Sequence, residues 1–147
     1  MRLRPFHPDD LNTLYEIDQV CFVPGISYSQ EELAAFIGQR ESQAWIAEEA
    51  GEIVGFLIAH REPRRMLHII TIDVLPAWRR RGVGSLLMDA AEQWACDKGL
   101  RMIGLETAQD NLPAQKFYVA RGYSKIDEIE GYYSNGTDAW VMVKELA

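Results

Sequence analysis

The hydrophobic and polar positions of the chain change period several times, and each period predicts one type of element. Alternating positions predict strands near residues 2–4, 44–48, 53–59 and 66–74, with a hairpin turn between the second and the third. Between the first two strands, one helix is expected to start near Pro8, and another follows the capping-box pair Ser29 and Glu32. Gly55, inside the third strand, is expected to mark a bulge or a bend.

The second half of the chain begins with a helical period. From Val83, apolar residues recur at spacings of 3, 4, 7, 8 and 11, and Gly99 is expected to cap this helix. A buried strand follows at 102–105, and Asn111 with Pro113 then predicts another helix start. Strands near 123–129 and 138–144 are the last predicted elements. This order predicts one mixed α/β sheet with helices on both faces.

Length and composition limit the classes of function. The 147 residues, 48% hydrophobic and 25% charged, predict a single globular domain over 1–147. No apolar run approaches the ~18–20 residues that span a bilayer, and the start lacks the apolar core of a signal peptide, so a cytoplasmic protein without a membrane partner is expected. The net charge of −7 argues against nucleic acid as a partner and is compatible with a cationic substrate such as an amine.

The segment with the clearest chemical character lies between a strand and a helix. It reads Arg79-Arg80-Arg81-Gly82-Val83-Gly84-Ser85. Two glycines at i and i+2 allow a tight turn and a close backbone approach to a ligand. A helix start offers unpaired N–H groups that favour a phosphate anion, and the arginines add positive charge. The pattern is neither a P-loop nor the dinucleotide fingerprint, and by itself it is also compatible with a solvated surface turn.

This segment resembles the pyrophosphate-binding motif of the GNAT superfamily of acyl-CoA-dependent N-acetyltransferases. That motif is Arg/Gln-x-x-Gly-x-Gly/Ala, and the order of elements in this chain also matches the family. The resemblance implies acetyl-CoA as co-substrate and a mostly antiparallel sheet that splays at its middle strands. It also implies that Ile72, Asp73 and Val74 line the acetyl and pantetheine path, with the oxyanion at the Val74 N–H. The segment from Arg79 to Ser85 would then hold the pyrophosphate, and which arginine contacts the donor stays open.

A second resemblance concerns the acid and the base. Glu106 follows the strand at 102–105, Asn111 stands five residues after it and Tyr118 twelve. By spacing alone, Glu106 could equally be a solvated acid and Tyr118 a packed core aromatic. The segment resembles RimI-type ribosomal-protein N-terminal acetyltransferases, in which the pattern Leu-Glu, Asn and Tyr has this spacing. The resemblance implies that Glu106 is the general base, that Tyr118 is the general acid for the sulfur, and that Asn111 contacts the pantetheine arm.

The same resemblance extends to the acceptor. Tyr132 and Tyr133 precede the last strand, as a tyrosine pair does in RimI-type enzymes, and would fix the first peptide bond of the substrate; a pair that only packs a hairpin is the alternative. The expected partner is therefore a protein or peptide N terminus, such as that of a ribosomal protein. A small amine, a lysine side chain, or an acyl-CoA-binding domain without turnover are the competing interpretations. A monomer and a homodimer both remain open.

The histidines do not predict a metal site. His7, His60 and His68 have no second ligand at metal-binding spacing, and no metal is expected. The sequence favours a strand or surface position for each of them. Direct transfer from the thioester to the amine is preferred over a covalent cysteine route, since no base lies beside Cys96 in the sequence.

Overall fold

The predicted strands pair into one seven-stranded sheet in a computed structural model, which describes residues 1–146. The strand order is β1-β2-β3-β4-β5-β7-β6, and every neighbouring pair is antiparallel except β4 and β5. The bounds are β1 Arg2–Pro5, β2 Ser42–Glu49, β3 Glu52–Glu62, β4 Met66–Val74, β5 Met102–Ala108, β6 Ser124–Ile129 and β7 Ala139–Glu145. The mixed α/β fold class and the element order predicted from the sequence are confirmed.

Four α-helices connect the strands, and their ends follow local side-chain chemistry. The bounds are α1 Leu11–Cys21, α2 Gln30–Gly38, α3 Val83–Asp97 and α4 Leu112–Ala120, with short 3-10 turns at Pro8–Asp10 and Pro76–Trp78. Ser29 and Glu32 form the predicted capping box of α2, and Gly99 after α3 has a φ of +71°. No helix in residues 1–146 combines the length and the apolar character needed to cross a membrane.

Helices on both faces of the sheet divide the core into two apolar clusters. Side chains alternate along β3, so Phe56 and Ile58 face α1 and α2, whereas Leu57 and Ala59 face α3. All four side chains are fully buried. The middle strands are therefore covered on both faces, which fixes the position of β4 relative to the helices that flank it.

The two middle strands separate soon after they begin to pair. β4 and β5 pair only over three positions, from Met66↔Met102 to His68↔Gly104. Beyond this point β4 continues along β3 as far as Val74, and β5 continues along β7 as far as Ala108. We call the V-shaped gap between residues 69–74 and 105–108 the β4–β5 cleft.

Two irregularities in the pairing accompany this divergence. The register between β3 and β4 shifts at Ile58 and Ala59, which leaves Ile70 as an extra residue on β4. A second shift, between β2 and β3, leaves Val54 as an extra residue beside Gly55. A Cβ atom on Gly55 would come within 2.7 Å of the Asp73 carbonyl oxygen. Bulges of this kind bend a strand and increase its twist. The irregularity expected at Gly55 is therefore present.

One predicted boundary is wrong in a way that matters for the site. The sequence pattern ended the fifth strand at Leu105, but β5 continues to Ala108 because Glu106 and Thr107 pair with Val141 and Trp140 of β7. Glu106 therefore lies within a strand, where its side chain is fixed by the sheet, and not in the connection that follows it.

Candidate active site at the β4–β5 cleft

The glycine turn forms the start of α3 at the open end of β4. Gly82 has a φ of +86° and is the N-cap residue, a conformation that favours glycine. The first backbone bond of the turn runs from Leu86 N to Gly82 O at 3.0 Å. Within residues 1–146, the N–H groups of Val83, Gly84 and Ser85 have no backbone acceptor, as expected for the first turn of a helix. These amides and the helix dipole favour an anion at this position.

Close packing against α4 explains why glycine occupies position 84. A Cβ atom there would come within 3.3 Å of the Phe117 ring. The side chain of Val83 is buried in the core, so only its amide is available to a ligand. The turn therefore presents backbone rather than side chains, which suits a bulky phosphate group.

The three arginines of this segment differ in their surroundings. The Arg79 side chain donates from Nε to the Val74 carbonyl oxygen at 3.2 Å, and the Arg81 guanidinium stacks on the Trp78 ring at 4.2 Å. Arg80 has a φ of +61° at the tip of the turn. The positive charge expected from the sequence is thus spread around the turn within an otherwise acidic protein.

The backbone of β4 faces the cleft at Val74. Leu75 donates its N–H to Val54 O on β3 at 3.0 Å, and strand amides alternate in direction, so the N–H and C=O of Val74 face away from β3. The side chains of Ile72 and Val74 pack on the α3 side, whereas that of Asp73 is buried toward α1. Of the three residues expected to line the path, Asp73 can therefore contribute only its backbone.

Glu106 lies where the two strands begin to diverge, at the centre of a polar cluster. His68 Nε2 is 2.8 Å from Glu106 Oε1, and its Nδ1 is 2.8 Å from Glu62 Oε2. The Tyr132 hydroxyl donates to Glu106 Oε1 at 3.0 Å. Glu62, His68, Glu106 and Tyr132 thus form a continuous hydrogen-bonded chain, which we call the acid–histidine chain.

His68 lies in a strand, as the sequence predicts, but its contact with Glu106 is not indicated by the sequence. Burial opposes its protonation, but the hydrogen bonds and negative charges of Glu106 and Glu62 outweigh burial and raise the pKa of His68. No sequence motif joins His68 to Glu106, which are 38 positions apart. The parallel pairing of His68 with Gly104 brings the two side chains together, and no pattern within either strand indicates this register.

Tyr118 and Asn111 lie on the α4 side of the cleft. The Tyr118 ring packs between Phe117 and Tyr123 with centroid distances of 5.3 and 5.7 Å, and burial raises the pKa of its hydroxyl. Asn111 Oδ1 accepts from Ala114 N at 3.2 Å and so caps α4, as expected. Tyr118 therefore keeps its proton over the ordinary pH range.

Two loops meet over the face of the sheet that carries Glu106. Ser134, in the loop between β6 and β7, donates from its N–H and its hydroxyl to Gly25 O at 3.1 and 3.0 Å. Gly25 belongs to the connection between α1 and α2. Tyr132 and Tyr133 precede this contact and stack edge to face at 5.0 Å. Burial, followed by the charge and hydrogen bond of Glu106, raises the pKa of Tyr132 to about 12.

The arrangement has the parts that acyl transfer to an amine requires. The anion-binding turn and the exposed backbone of Val74 lie at the open end of the cleft, and Glu106 with His68 lies where the strands begin to diverge. These residues fit acetyl-CoA, because within residues 1–146 the amides at the start of α3 have no backbone acceptor and the Val74 N–H faces away from β3. Among residues 1–146, no group of three or more His, Cys, Asp or Glu side chains could hold a metal ion.

Comparison with known families agrees with this geometry. A family model described as the acetyltransferase (GNAT) family matches residues 11–123. An uncharacterized N-acetyltransferase of Methanocaldococcus jannaschii is 27% identical over 99% of this chain and 92% of its own length. An N-alpha-acetyltransferase of Sulfurisphaera tokodaii is 24% identical over 99% of this chain and 93% of its own length.

Two further similarities bear on fold and acceptor. An aminoglycoside N(6')-acetyltransferase of Salmonella typhimurium is 27% identical, with 89% of this chain and 84% of that protein covered. The crystal structure of the ribosomal-protein-S18-alanine N-acetyltransferase from Escherichia coli superposes with a TM-score of 0.89, covering 99% of this chain and 94% of that chain. At 20% identity this second likeness concerns the fold, and it agrees with the resemblance to RimI-type enzymes.

The acid–histidine chain predicts how His68 titrates. Replacing Glu106 by Gln removes the negative charge and the carboxylate acceptor at His68 Nε2, so the pKa of His68 should fall. Titration of the His68 ring by NMR in both proteins measures this change. Glu128→Gln, an exposed strand substitution, serves as the control. An unchanged His68 pKa in Glu106→Gln would contradict the electrostatic coupling of the two side chains.

Proposed function

This chain belongs to the acetyltransferase (GNAT) family, and we propose that it transfers the acetyl group of acetyl-CoA to the α-amine of a protein or peptide N terminus. The observation that carries the proposal is the acid–histidine chain at the point where β4 and β5 separate. It brings a proton acceptor to the same cleft as the anion-binding turn of α3.

Glu106 acts as the general base in this proposal. An amine must lose a proton before it can attack a carbonyl carbon, and the Glu106 carboxylate accepts that proton directly or through one water. His68 Nε2 lies 2.8 Å from Glu106 Oε1, and Glu62, bonded to His68 Nδ1, has a side chain that is 40% exposed. The histidine therefore connects the half-buried Glu106 carboxylate to the more exposed Glu62 carboxylate, which can exchange protons with solvent.

The donor is assigned to the open side of the cleft. Acetyl-CoA, when bound, supplies an activated thioester carbonyl for direct transfer. The turn from Arg79 to Ser85 would hold its pyrophosphate through the amides of α3 and the arginine charges. The backbone of Ile72, Asp73 and Val74 and the side chain of Asn111 would hold the pantetheine arm. The Val74 N–H faces the cleft, where it would stabilise the oxyanion.

Tyr118 is the proposed general acid. Its hydroxyl retains its proton because burial raises its pKa, and a proton donor assists the departure of a thiolate, whose thiol has a pKa of about 8.5. The tyrosine and Glu106 thereby divide the proton transfers between two sides of the cleft. One group removes the proton of the amine and the other gives a proton to the sulfur.

The part of the cleft that would bind the acceptor favours a protein or peptide N terminus. The contact between Ser134 and Gly25 closes the two loops over the sheet, which limits access to a narrow substrate. Tyr132 and Tyr133 supply the hydroxyl and ring surfaces that would fix the first peptide bond. An α-amine, with a pKa of about 8, is neutral far more often at pH 7 than a lysine with a pKa of about 10.4, so one base suffices.

A small-molecule amine is the second candidate acceptor. The relative named as an aminoglycoside acetyltransferase covers 89% of this chain, so related proteins acetylate more than one class of amine. The acidic net charge of −7 also suits a polycationic small molecule. The two candidates share the donor side of the cleft and differ in the groups that hold the acceptor.

An acceptor panel separates these candidates. Thiol release from acetyl-CoA is measured with peptides carrying a free N terminus, with the same peptides N-terminally blocked but containing lysine, and with aminoglycosides and polyamines. We expect kcat/KM for the best free-N-terminus peptide to exceed that for every other class by at least about tenfold. Activity confined to the small amines would contradict the proposed acceptor. Binding of acetyl-CoA without turnover on any amine would contradict catalysis.

The acid role of Tyr118 predicts a specific kinetic change. Tyr118→Phe keeps the packed ring and removes only the proton donor, so kcat should fall by about 10²-fold. The affinity for acetyl-CoA, measured by calorimetry, should change by less than about threefold. Tyr123→Phe is the matched control, since its ring stacks on Tyr118 but its hydroxyl donates to Glu92, away from the cleft. An undiminished kcat in Tyr118→Phe would remove this residue from the mechanism.

A further inference from the structure

Two aspartates from different elements meet beneath the acceptor side of the cleft. Asp18 belongs to α1 and Asp73 to β4, and their relative exposures are 0% and 1%. Neither side chain belongs to the acid–histidine chain or to the glycine turn. Buried carboxyl groups are costly unless their polar atoms are satisfied, so this pair requires a physical explanation.

In each aspartate, one carboxyl oxygen accepts a hydrogen bond from a neighbouring residue. The second oxygen is left to bond to the other aspartate. Tyr28 N donates to Asp18 Oδ2 and Thr71 Oγ1 donates to Asp73 Oδ1, each at 2.6 Å. Asp18 Oδ1 and Asp73 Oδ2 have no other donor within residues 1–146, and the two carboxyl groups lie within hydrogen-bonding reach of each other. A single proton between these two oxygens satisfies both.

The surroundings favour a pair with one negative charge. Burial raises the pKa of Asp73 well above its usual range, and its bond to Asp18 raises it further. Burial also raises the pKa of Asp18, against the effect of its bonds to Asp73 and Tyr28 N. The other charged and titratable groups near the pair are Glu32 on α2, Cys21 on α1, Arg79 after β4 and Tyr118 on α4.

The pair connects β4 to the loop that covers the acceptor. Tyr28, which donates to Asp18, lies in the connection between α1 and α2, close before α2 begins. Its ring packs edge to face on Phe36 at 4.9 Å, and burial with the nearby Tyr132 and Tyr133 raises the pKa of its hydroxyl. The backbone at Tyr28 is therefore tied to β4 on one side, and its ring adjoins the tyrosine pair on the other.

We propose that Asp18 and Asp73 share one proton and form a positioning contact that holds the α1–α2 loop, through Tyr28, over the acceptor site. The role in positioning the acceptor rests on the proposed function, whereas the contact itself does not. Asp18 and Asp73 touch neither the amine nor the thioester in this proposal, and they act through the placement of Tyr28. Loss of the contact should raise KM for the acceptor and leave the donor side unaffected.

Asparagine substitutions test the shared proton directly. In Asp73→Asn the new amide donates to Asp18, and in Asp18→Asn it donates to Asp73, so each single variant keeps the bonds and the single negative charge. In the double variant the two NH2 groups face each other, and turning either amide gives up the bond to Tyr28 N or to Thr71. Asp18→Asn should change the acceptor KM by less than about twofold. The double variant should raise the acceptor KM about tenfold relative to Asp73→Asn, which shares any effect of position 73 on the donor path, and KM for acetyl-CoA should be equal in these two variants.

Hydrogen exchange of the Tyr28 amide provides a readout that needs no activity. Exchange of this amide should stay slow in both single variants and accelerate at least about tenfold in the double variant. The proteins are compared at equal free energy of unfolding, which is adjusted by adding osmolyte. If the Tyr28 amide stays protected from exchange in the double variant, the proposed contact is contradicted, whichever amine the enzyme acetylates. Fast exchange with an unchanged acceptor KM would overturn the positioning role, and inactivity of the wild type would contradict only the proposed function.

The pH dependence gives a second signature. As pH rises through the raised pKa of Asp73, the wild-type pair gains a second negative charge, so the contact weakens and the acceptor KM increases. Asp73→Asn cannot lose that proton and should lack this alkaline increase, although both proteins keep the same neighbouring charged groups. Identical alkaline profiles of KM for the two proteins would overturn the shared-proton bond.

Discussion

The short parallel pairing between β4 and β5 is the constraint on which the rest of the site depends. After three residue pairs the strands diverge, so the facing backbone edges of β4 and β5 are left without a neighbouring strand. Buried backbone N–H and C=O groups need partners, and an unpaired strand edge inside a sheet is therefore an unusual feature that favours a ligand with amide groups of its own. The bulge at Ile70 and the close approach at Gly55 accompany this bend in β4.

Opposite charges lie at the two ends of the cleft. The start of α3 at the open end, with three arginines beside it, is positive in a protein whose net charge is −7. Glu62 and Glu106 make the end where the strands begin to diverge negative, and His68 bonds to both carboxylates. This separation suits a reaction between an anionic donor and a cationic acceptor, because each is attracted to its own end of the cleft.

Much of the fold could be predicted from the sequence, because the patterns that indicate its helices and turns lie within short segments. The capping box at Ser29 and Glu32, the helical period from Val83 and the glycine turn each depend on residues within a few positions of one another. The end of β5 was not predictable in this way, since Glu106 is held in the strand by Val141, a partner 35 positions later. Local patterns carry no information on such pairings.

The same distinction applies to the site. The glycine turn and the residues at 106, 111 and 118 became candidates for the site because the family motif has fixed spacing. His68 was assigned to an ordinary strand position because its partners Glu62 and Glu106 come from other strands, and only the register of β4 with β5 aligns them. The contact of Asp18 with Asp73 likewise depends on how α1 packs on β4, which no periodicity in either segment indicates.

The central claim is that the diverging strands and the start of α3 form one donor site, and a titration of 15N-labelled protein with acetyl-CoA tests it most directly. The account predicts that amide resonances of Val74, Val83, Gly84 and Ser85 shift together with a single dissociation constant. Pantetheine, which lacks the pyrophosphate, should shift Val74 and leave the α3 amides in place. Saturable shifts confined to residues outside the cleft, or none in a folded sample, would contradict the account.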